Sequence, residues 1–269
     1  MPELPEMENY KILLNELISN RPITSIVINR EKSINIPIPS FLEQMQNTSI
    51  IRIERRAKHL LIHLSNQKIL LLHLMLGGWM FYGTEEEKPK RTIQVRLSFG
   101  EKNLYFIGLR LGYLHLLTIE ECKERLKELG PEPFDPHFTE EAFTNTITTR
   151  KGALKLKLVD QHFISGIGNC YSDEICYGAQ ILPTRKIEDL NEGEVKKLYH
   201  SMQKTLAAAT NIGGYMEHPL YVGDKKTGSY NDLCKVYDRE GEVCQRCNNK
   251  IILIKISSKK CFYCPGCQF

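Results

Sequence analysis

The sequence predicts an α+β protein. Its first half is antiparallel β-structure flanked by helices, its second half is helical, and a small metal-binding tail follows. Three observations support this prediction. Short β-rich segments alternate with turn-like residues between positions 23 and 117, helical spacing of apolar residues dominates from 139 to 212, and five of the nine cysteines lie between Cys244 and Cys267. Short strands at such spacing are typical of an antiparallel sandwich or barrel.

The length and composition limit the classes of protein to which this sequence can belong. A chain of 269 residues, 42% of them hydrophobic, is long enough for two domains, or for one domain and an appendage. The net charge of +4 permits a nucleic-acid partner without requiring one. There is no apolar run of about eighteen residues and no basic N-terminal region followed by an apolar one. We therefore expect a cytoplasmic protein with no membrane partner.

The first six residues, Met1–Glu6, contain a candidate catalytic group. Removal of the initiator methionine would leave Pro2 as a free secondary amine, and an α-amino group has a pKa of roughly 8. An unprotonated amine attacks an aldehyde-like carbon and forms an iminium. Glu3 and Glu6 lie within one turn of that amine and could move its protons. The alternative interpretation is that these residues only form the first turn of a helix.

The elements of the first half follow in order. Apolar spacing predicts a helix over residues 6–19, which ends at Asn20-Arg21-Pro22. A second helix is predicted around 119–128, and two prolines in Gly130-Pro131-Glu132-Pro133 mark a domain boundary after residue 131. Between these helices the β-rich segments are residues 23–30, 49–56, 59–64, 68–76, 92–99 and 104–117.

The second half of the sequence is predicted to form helices, followed by the cysteine-containing tail. A tight double turn, Ser165–Gly168, interrupts the helical pattern, residues 213–233 are predicted as a loop, and residues 251–256 are strongly β-like. These features give a second domain over 132–233 and a third over 234–269. The predicted helices are residues 139–146, 152–160, 169–179 and 191–212.

The tail contains two Cys-x-x-Cys pairs that flank an insert of hairpin length. Four thiolates close a tetrahedron around zinc and leave no open position, so such a metal folds the tail instead of catalysing. A pair of disulfides or chance clustering is the alternative, and Cys261 could replace a ligand, although it fits the spacing less well. The predicted zinc ligands are Cys244, Cys247, Cys264 and Cys267.

Two further segments suit anion binding. Arg55-Arg56-Ala57-Lys58-His59 is a basic cluster between two strands, and Lys58 could also act as an acid toward a leaving group. Gly166–Asn169 places backbone amides and a side-chain amide at the start of a helix. A solvated turn and a simple N-cap at Asn169 are the respective alternatives.

Taken together, these features resemble the formamidopyrimidine-DNA glycosylase/endonuclease VIII family of base-excision repair enzymes over almost the whole chain. Leu4 favours the formamidopyrimidine type. The matching pieces, in order, are Met1–Glu6, Arg55–Lys58, Lys155 with Leu158–Gln161, Gly166–Asn169, Asp173-Glu174 and the cysteine tail through Gln268.

The resemblance implies an N-terminal β-sandwich, a helix–two-turn–helix domain and a zinc finger, with DNA in the cleft between the halves. It implies a monomeric bacterial enzyme of the nucleoid that acts on double-stranded DNA with a damaged or abasic nucleotide. The target nucleotide is flipped out of the duplex, because its sugar carbon is shielded in the stack. The implied roles are Pro2 as nucleophile, Glu3 as acid/base, Glu6 as its support, Lys58 as phosphate contact and elimination acid, and Arg110, Lys155, Asn169 and Lys259 as DNA contacts.

Several positions depart from the family pattern. The residues that fill the hole left by a flipped nucleotide become Leu76, Leu109 and Leu111, and Lys259 replaces an arginine. The loop that touches the damaged base becomes Gly213-Gly214-Tyr215-Met216-Glu217-His218. The catalytic residues are therefore present while the lesion-reading residues differ. A non-catalytic DNA-binding paralogue that recognises abasic or distorted DNA is the alternative to an enzyme.

Overall fold

The computed structural model describes all 269 residues and divides into two compact units. The first unit contains residues 1–127 and 212–231, and the second contains 128–211 and 232–269. Residues 212–231, which the sequence assigns to the helical domain, thus pack with the β-rich unit. The chain crosses between the units more than once, which a linear list of domains does not capture.

The first unit opens with helix α1 (Leu4–Ile18), whose first turn contains Pro5. The backbone amide of Glu3 donates to the Glu6 carboxylate over 2.8 Å, which closes the N-terminus of the helix. One face of α1 buries apolar side chains in the core of the unit. They are Met7, Tyr10, Leu14 and Ile18.

Two antiparallel sheets share that core. One has the strand order β1-β3-β4-β5-β9 and the other the order β2-β7-β8-β6. Helices α2 (Ile38–Met45) and α3 (Ile119–Leu126) belong to the same unit. The strands are β1 (Arg21–Pro22), β2 (Ser25–Ile28), β3 (Ser49–Arg56), β4 (His59–Leu64), β5 (Ile69–His73), β6 (Trp79–Gly83), β7 (Ile93–Phe99), β8 (Lys102–Ile107) and β9 (Tyr113–Leu117).

The predicted single strand over 104–117 is wrong, because the chain turns at 108–112 between β8 and β9. Gly108 has φ +73°, and a Cβ there would lie 1.9 Å from the carbonyl oxygen of Gly77. The turn therefore approaches the 74–78 turn too closely for any side chain. Strand β6 and helix α2 are not among the elements that the sequence predicts. All five residues of β6 are buried, so it lacks the alternation that marks a strand.

The second unit contains helices α4 to α7 and a C-terminal hairpin. The predicted bounds of α6 are confirmed, α5 is shorter than predicted, and no helix is long and apolar enough to cross a membrane. Helix α6 packs against both α7 and the hairpin. The elements are α4 (Glu140–Thr148), α5 (Leu154–Leu158), α6 (Asn169–Ala179), α7 (Glu192–Asn211), β10 (Ile252–Ile256) and β11 (Lys259–Tyr263).

Candidate active site

The predicted N-terminal group forms one buried cluster in the first unit. Pro2 is buried, and Glu3 and Glu6 are each only 2% exposed. The Glu6 carboxylate accepts from the Glu3 amide at one oxygen and from the Tyr215 amide at the other, over 2.8 and 2.9 Å. A carboxylate with both oxygens engaged by backbone donors is an anchor, so its geometry suits the supporting role expected of Glu6.

The loop opposite this cluster is fitted to it closely. Gly214 has φ +76°, and a Cβ there would lie 2.1 Å from Glu6 Oε1. The Tyr215 hydroxyl donates to the Met1 carbonyl oxygen over 3.2 Å and lies 3.4 Å from the Met1 amine. Since the Met1 carbonyl carbon is bonded to the Pro2 nitrogen, the phenol lies beside that nitrogen. In the sequence Tyr215 is only a departure from the family pattern, and no local signal predicts this contact.

Two polar side chains, one buried and one half-buried, fix the loop further. Asn9 on α1 is fully buried, and its Nδ2 donates to Thr227 Oγ1 over 2.9 Å. The Asp224 carboxylate accepts from the amides of Leu220, Lys226 and Thr227. Helical spacing alone gave no reason to single out Asn9, and Asp224 lies in a segment without periodicity. These contacts explain why residues 212–231 belong to the first unit.

Lys58 lies in the two-residue turn between β3 and β4, where Arg56 pairs with His59 and Ala57 has φ +53°. Lys58 is only 5% exposed. Burial, followed by the nearby charge of Lys58, lowers the pKa of His73 to about 4. Arg55 Nε contacts Glu8 of α1 over 2.7 Å, which ties this turn to the N-terminal helix. The interpretation as a solvated turn is therefore wrong.

The three predicted void-filling leucines have different environments. Leu76 and Leu111 are 67% and 62% exposed, and Arg110 beside them is also exposed. Leu109 is fully buried in the core of the first unit. The turn that breaks the predicted 104–117 strand directs Leu109 inward, so this leucine is not available as a wedge. We call Leu76 and Leu111 the leucine wedge.

The remaining predicted residues lie in the second unit, where Lys155 differs from expectation. Its side chain is fully buried, and its Nζ contacts the Asn169 carbonyl oxygen over 2.8 Å and the Asp173 carboxylate over 2.6 Å. The other Asp173 oxygen accepts from the Phe262 amide over 3.1 Å. A fully buried ammonium cannot reach a phosphate, so the expectation of a DNA contact at Lys155 is replaced by a positioning role toward Asn169.

Asn169 is half-buried and is the first residue of α6, while Gly168 occupies the N-cap position. The interpretation of Asn169 as an N-cap is therefore wrong. Gln161 holds the preceding double turn, because its Oε1 accepts from the Gly166 amide and its Nε2 donates to the Ile167 carbonyl. Glu174 of α6 accepts from the amides of three consecutive residues, 235–237, and so orients the start of the tail.

The four predicted cysteine ligands converge. Their sulfur atoms all lie within 4.8 Å of one another, which suits one tetrahedral ion with sulfur–sulfur separations of about 3.8 Å. The Arg246 amide and Nε donate to the sulfurs of Cys244 and Cys267 over 3.4 and 3.3 Å. This group could therefore hold a metal ion. Cys261 lies on β11 beside Asp173, where burial and then that carboxylate raise the pKa of its thiol to about 12. Lys259, at the start of β11, is exposed.

The chain matches two sequence models of one family. Residues 1–113 match the formamidopyrimidine-DNA glycosylase N-terminal domain, and residues 129–218 match the formamidopyrimidine-DNA glycosylase H2TH domain. Full-length relatives agree. The formamidopyrimidine-DNA glycosylase of Pelotomaculum thermopropionicum is 32% identical over 100% of this chain and 99% of its own length. That of Listeria innocua is 31% identical over 100% of both chains.

Solved structures share the fold over nearly the whole chain. One is the Lactococcus lactis Fpg protein in complex with DNA that contains an abasic site, with a TM-score of 0.91, 26% identity and 99% coverage of both chains. Another is the wild-type form of the same protein with DNA that contains N7-benzyl-Fapy-dG, with the same TM-score, identity and coverage.

The Lys155–Asp173 pair supports a stability prediction. Lys155→Ala leaves the Asp173 carboxylate buried without its cation, which should lower the free energy of unfolding by about 3–5 kcal/mol. Urea unfolding measures this change. Lys157→Ala, at a half-buried lysine of the same helix, is the matched control. The double variant Lys155→Met/Asp173→Leu should regain most of the loss, and a single-variant loss below about 1 kcal/mol would contradict a buried ion pair at this site.

Proposed function

The chain belongs to the formamidopyrimidine-DNA glycosylase family of base-excision repair enzymes, which are DNA glycosylases with abasic-site lyase activity, and we propose that its chemistry starts from the amine of Pro2. The observation that supports this proposal is the Glu6 carboxylate, which holds the Glu3 and Tyr215 amides together around a buried Pro2. Since the relatives named above are bacterial proteins, we expect the enzyme to work on DNA of the nucleoid.

The proposed reaction begins when the Pro2 lone pair attacks C1′ of a flipped nucleotide. The N–C1′ bond forms as the glycosidic bond breaks, and the departing base takes a proton. Loss of the amine proton and opening of the sugar ring give an iminium, after which a proton leaves C2′ and the 3′-phosphate departs. Glu3 is proposed to carry these protons, and Lys58 to bind a phosphate and act as the acid in the elimination.

Met1 controls whether this chemistry can occur. While Met1 is attached, the Pro2 nitrogen is an amide and its lone pair is delocalised. Removal of Met1 frees the amine beside the Tyr215 hydroxyl, which contacts both the nitrogen and the oxygen of Met1 in the full chain. We propose that Tyr215 then positions the amine by a hydrogen bond.

Tyr215→Phe should lower the single-turnover rate of iminium formation on abasic duplex about fivefold, since one neutral hydrogen bond contributes about 1 kcal/mol. Sodium borohydride trapping measures this rate, and intact mass first establishes that Met1 is absent. The pH dependence of trapping should also shift, which a purely structural role would not cause. Tyr221→Phe, on the same loop, is the control, and equal rates for both variants would contradict the role of Tyr215.

The same trapping experiment addresses the alternative of a non-catalytic DNA-binding paralogue. Protein without Met1 that binds abasic duplex but is never trapped would support that alternative. The contacts of Glu6 argue against it, because binding alone requires neither a buried Glu3 nor an aligned amine.

For DNA binding we propose phosphate contacts from Lys58, Arg110, Asn169 and Lys259. Arg110 and Lys259 are exposed cations, and Asn169 stands at the N-terminus of a helix, where backbone amides and the helix dipole favour an anion. Such contacts fix the position of the protein on the duplex without reading sequence. Lys155 takes no part in them and instead holds the Asn169 carbonyl.

We propose that the ion held by Cys244, Cys247, Cys264 and Cys267 is a structural zinc. Four thiolates with donors to their sulfurs are the ligand set that zinc prefers, and they leave no position for substrate. When bound, the ion supplies folding energy to the tail.

Metal analysis of the purified, folded chain should find about one zinc per chain, as expected for a four-cysteine site. Cys261→Ser should leave that content unchanged, because Cys261 lies outside the cluster, whereas Cys264→Ser should lower it strongly. Chelation should unfold the tail and weaken DNA binding. A metal-free folded chain, or an empty site in Cys261→Ser, would contradict the ligand assignment.

The leucine wedge supports a prediction about lesion choice. A polar contact to the base opposite the lesion is worth roughly 1–3 kcal/mol of discrimination, and Leu76 and Leu111 cannot make one. Flipping a well-paired nucleotide costs a few kcal/mol of unpairing free energy. Without a polar contact to the opposite base, less of this cost is offset. We expect abasic-strand cleavage to be efficient, 8-oxoguanine excision to be weak, and dependence on the opposite base to be slight. Single-turnover rates on 8-oxoguanine opposite each base decide this, and fast excision opposite cytosine alone would contradict it.

A further inference from the structure

A cavity of about 600 Å³ lies beside the leucine wedge, entirely within the first unit. Leu76 and Leu111 both line it, whereas Pro2, Glu3, Glu6 and Tyr215 do not. Its volume falls in the range of small-molecule sites. The other side chains that line it come from Trp79, Arg91, Thr92, Gln94, Arg110 and His218.

The lining combines an aromatic platform with hydrogen-bond donors. The exposed His218 ring is stacked on the Trp79 ring, which is only 9% exposed, with centroids 4.4 Å apart and planes 24° apart. Gln94 is only 5% exposed, and its Oε1 already accepts from the Leu109 amide, so its Nε2 is the group it can offer to a ligand. Arg91 and Arg110 are exposed cations, and no carboxylate lines the cavity. An aromatic surface, an amide donor and flanking guanidinium groups are the chemistry that binds a nucleobase and its phosphates.

The rim of the cavity is formed by close approach of backbone segments. A Cβ at Gly78 would lie 2.1 Å from the Leu74 carbonyl oxygen, and one at Gly108 would lie 1.9 Å from that of Gly77. The turns that carry Leu76 and Leu111 are therefore held against each other. The platform is completed by His218, which belongs to the same loop as Tyr215.

We propose that this cavity receives the orphaned base, which is the base opposite the damaged nucleotide, after it leaves the helix and stacks on the Trp79–His218 platform. The proposal rests on the proposed function. The damaged nucleotide must place its C1′ at the Pro2 amine, and none of the residues around that amine lines the cavity. Of the loop 213–218, which the resemblance places against the damaged base, only His218 lines it. The orphaned base, in contrast, lies next to the wedge, where leucine side chains leave its polar edge without a partner. Stacking accepts every base, so this site is compatible with slight dependence on the opposite base.

Trp79 is the only tryptophan of the chain, so all tryptophan fluorescence of the protein comes from a residue that lines this cavity. The probes are two duplexes with an uncleavable tetrahydrofuran abasic analogue, placed either opposite a guanine or opposite a second tetrahydrofuran. Neither contains a damaged base. Stacking of the orphaned guanine should quench Trp79 strongly at saturating DNA, while the duplex without that base should cause little quenching. Equal quenching by both duplexes would overturn the proposal.

Affinity gives a second measurement. Binding to the guanine duplex should be about fivefold tighter than to the doubly abasic duplex, and His218→Ala should remove most of that difference. His137→Ala, at an exposed histidine of the second unit, is the control and should keep it. A difference that survives His218→Ala would overturn the proposal. Failure to prefer either abasic duplex over undamaged DNA would instead contradict the proposed function, and this inference with it.

Discussion

The hydrogen bonds of the Glu6 carboxylate are the contacts on which the candidate active site depends. Its two oxygens accept from the Glu3 amide, three residues before it, and from the Tyr215 amide, 209 residues after it. A catalytic amine at a chain terminus has no neighbour on one side to hold it, so its position must be imposed by the residues that follow. The capping interaction fixes Glu3 at the start of α1, and the same carboxylate fixes the loop that covers it. A carboxylate that lacked either hydrogen bond could not fix both Glu3 and the loop.

This mode of attachment explains how the side chains of the 213–218 loop can differ from the family pattern while the proposed catalytic amine stays in place. Glu6 binds the backbone amide of Tyr215 and requires only that residue 214 lack a side chain. Asp224 likewise binds the backbone amides of residues 220, 226 and 227. Side chains at 215–218 can therefore change without loosening the loop, since none of these bonds uses them. In this chain such changes bring a phenol to the Met1 carbonyl group and stack His218 on Trp79.

Local patterns predicted most of the regular elements, and long-range contacts account for the break at 108–112 and for the burial of Leu109 and Lys155. The bounds of β3, β4 and α6 follow from alternation, from the basic turn between two strands and from the glycines before a helix. The break at 108–112 depends on a backbone approach between Gly77 and Gly108, which no window of sequence contains. The burial of Leu109 follows from that break. The family resemblance implied a DNA contact at Lys155, but its partner Asp173 lies in the next helix, and this contact is not visible in the sequence around Lys155.

The leucine wedge and the cavity beside it are physically linked, because the wedge leaves the orphaned base without a hydrogen-bond partner and the cavity is proposed to receive that base. Opening a base pair leaves two polar edges, and an enzyme that flips only the damaged nucleotide must satisfy the other edge inside the helix. An arginine does so by hydrogen bonds and thereby makes excision depend on that base. A leucine wedge removes this dependence but leaves the edge unsatisfied, at a cost comparable to the hydrogen bonds lost. Moving the second base onto an aromatic platform offsets that cost by stacking, which differs little among the four bases. Opposite-base tolerance and a stacking site beside the wedge are therefore expected to occur together.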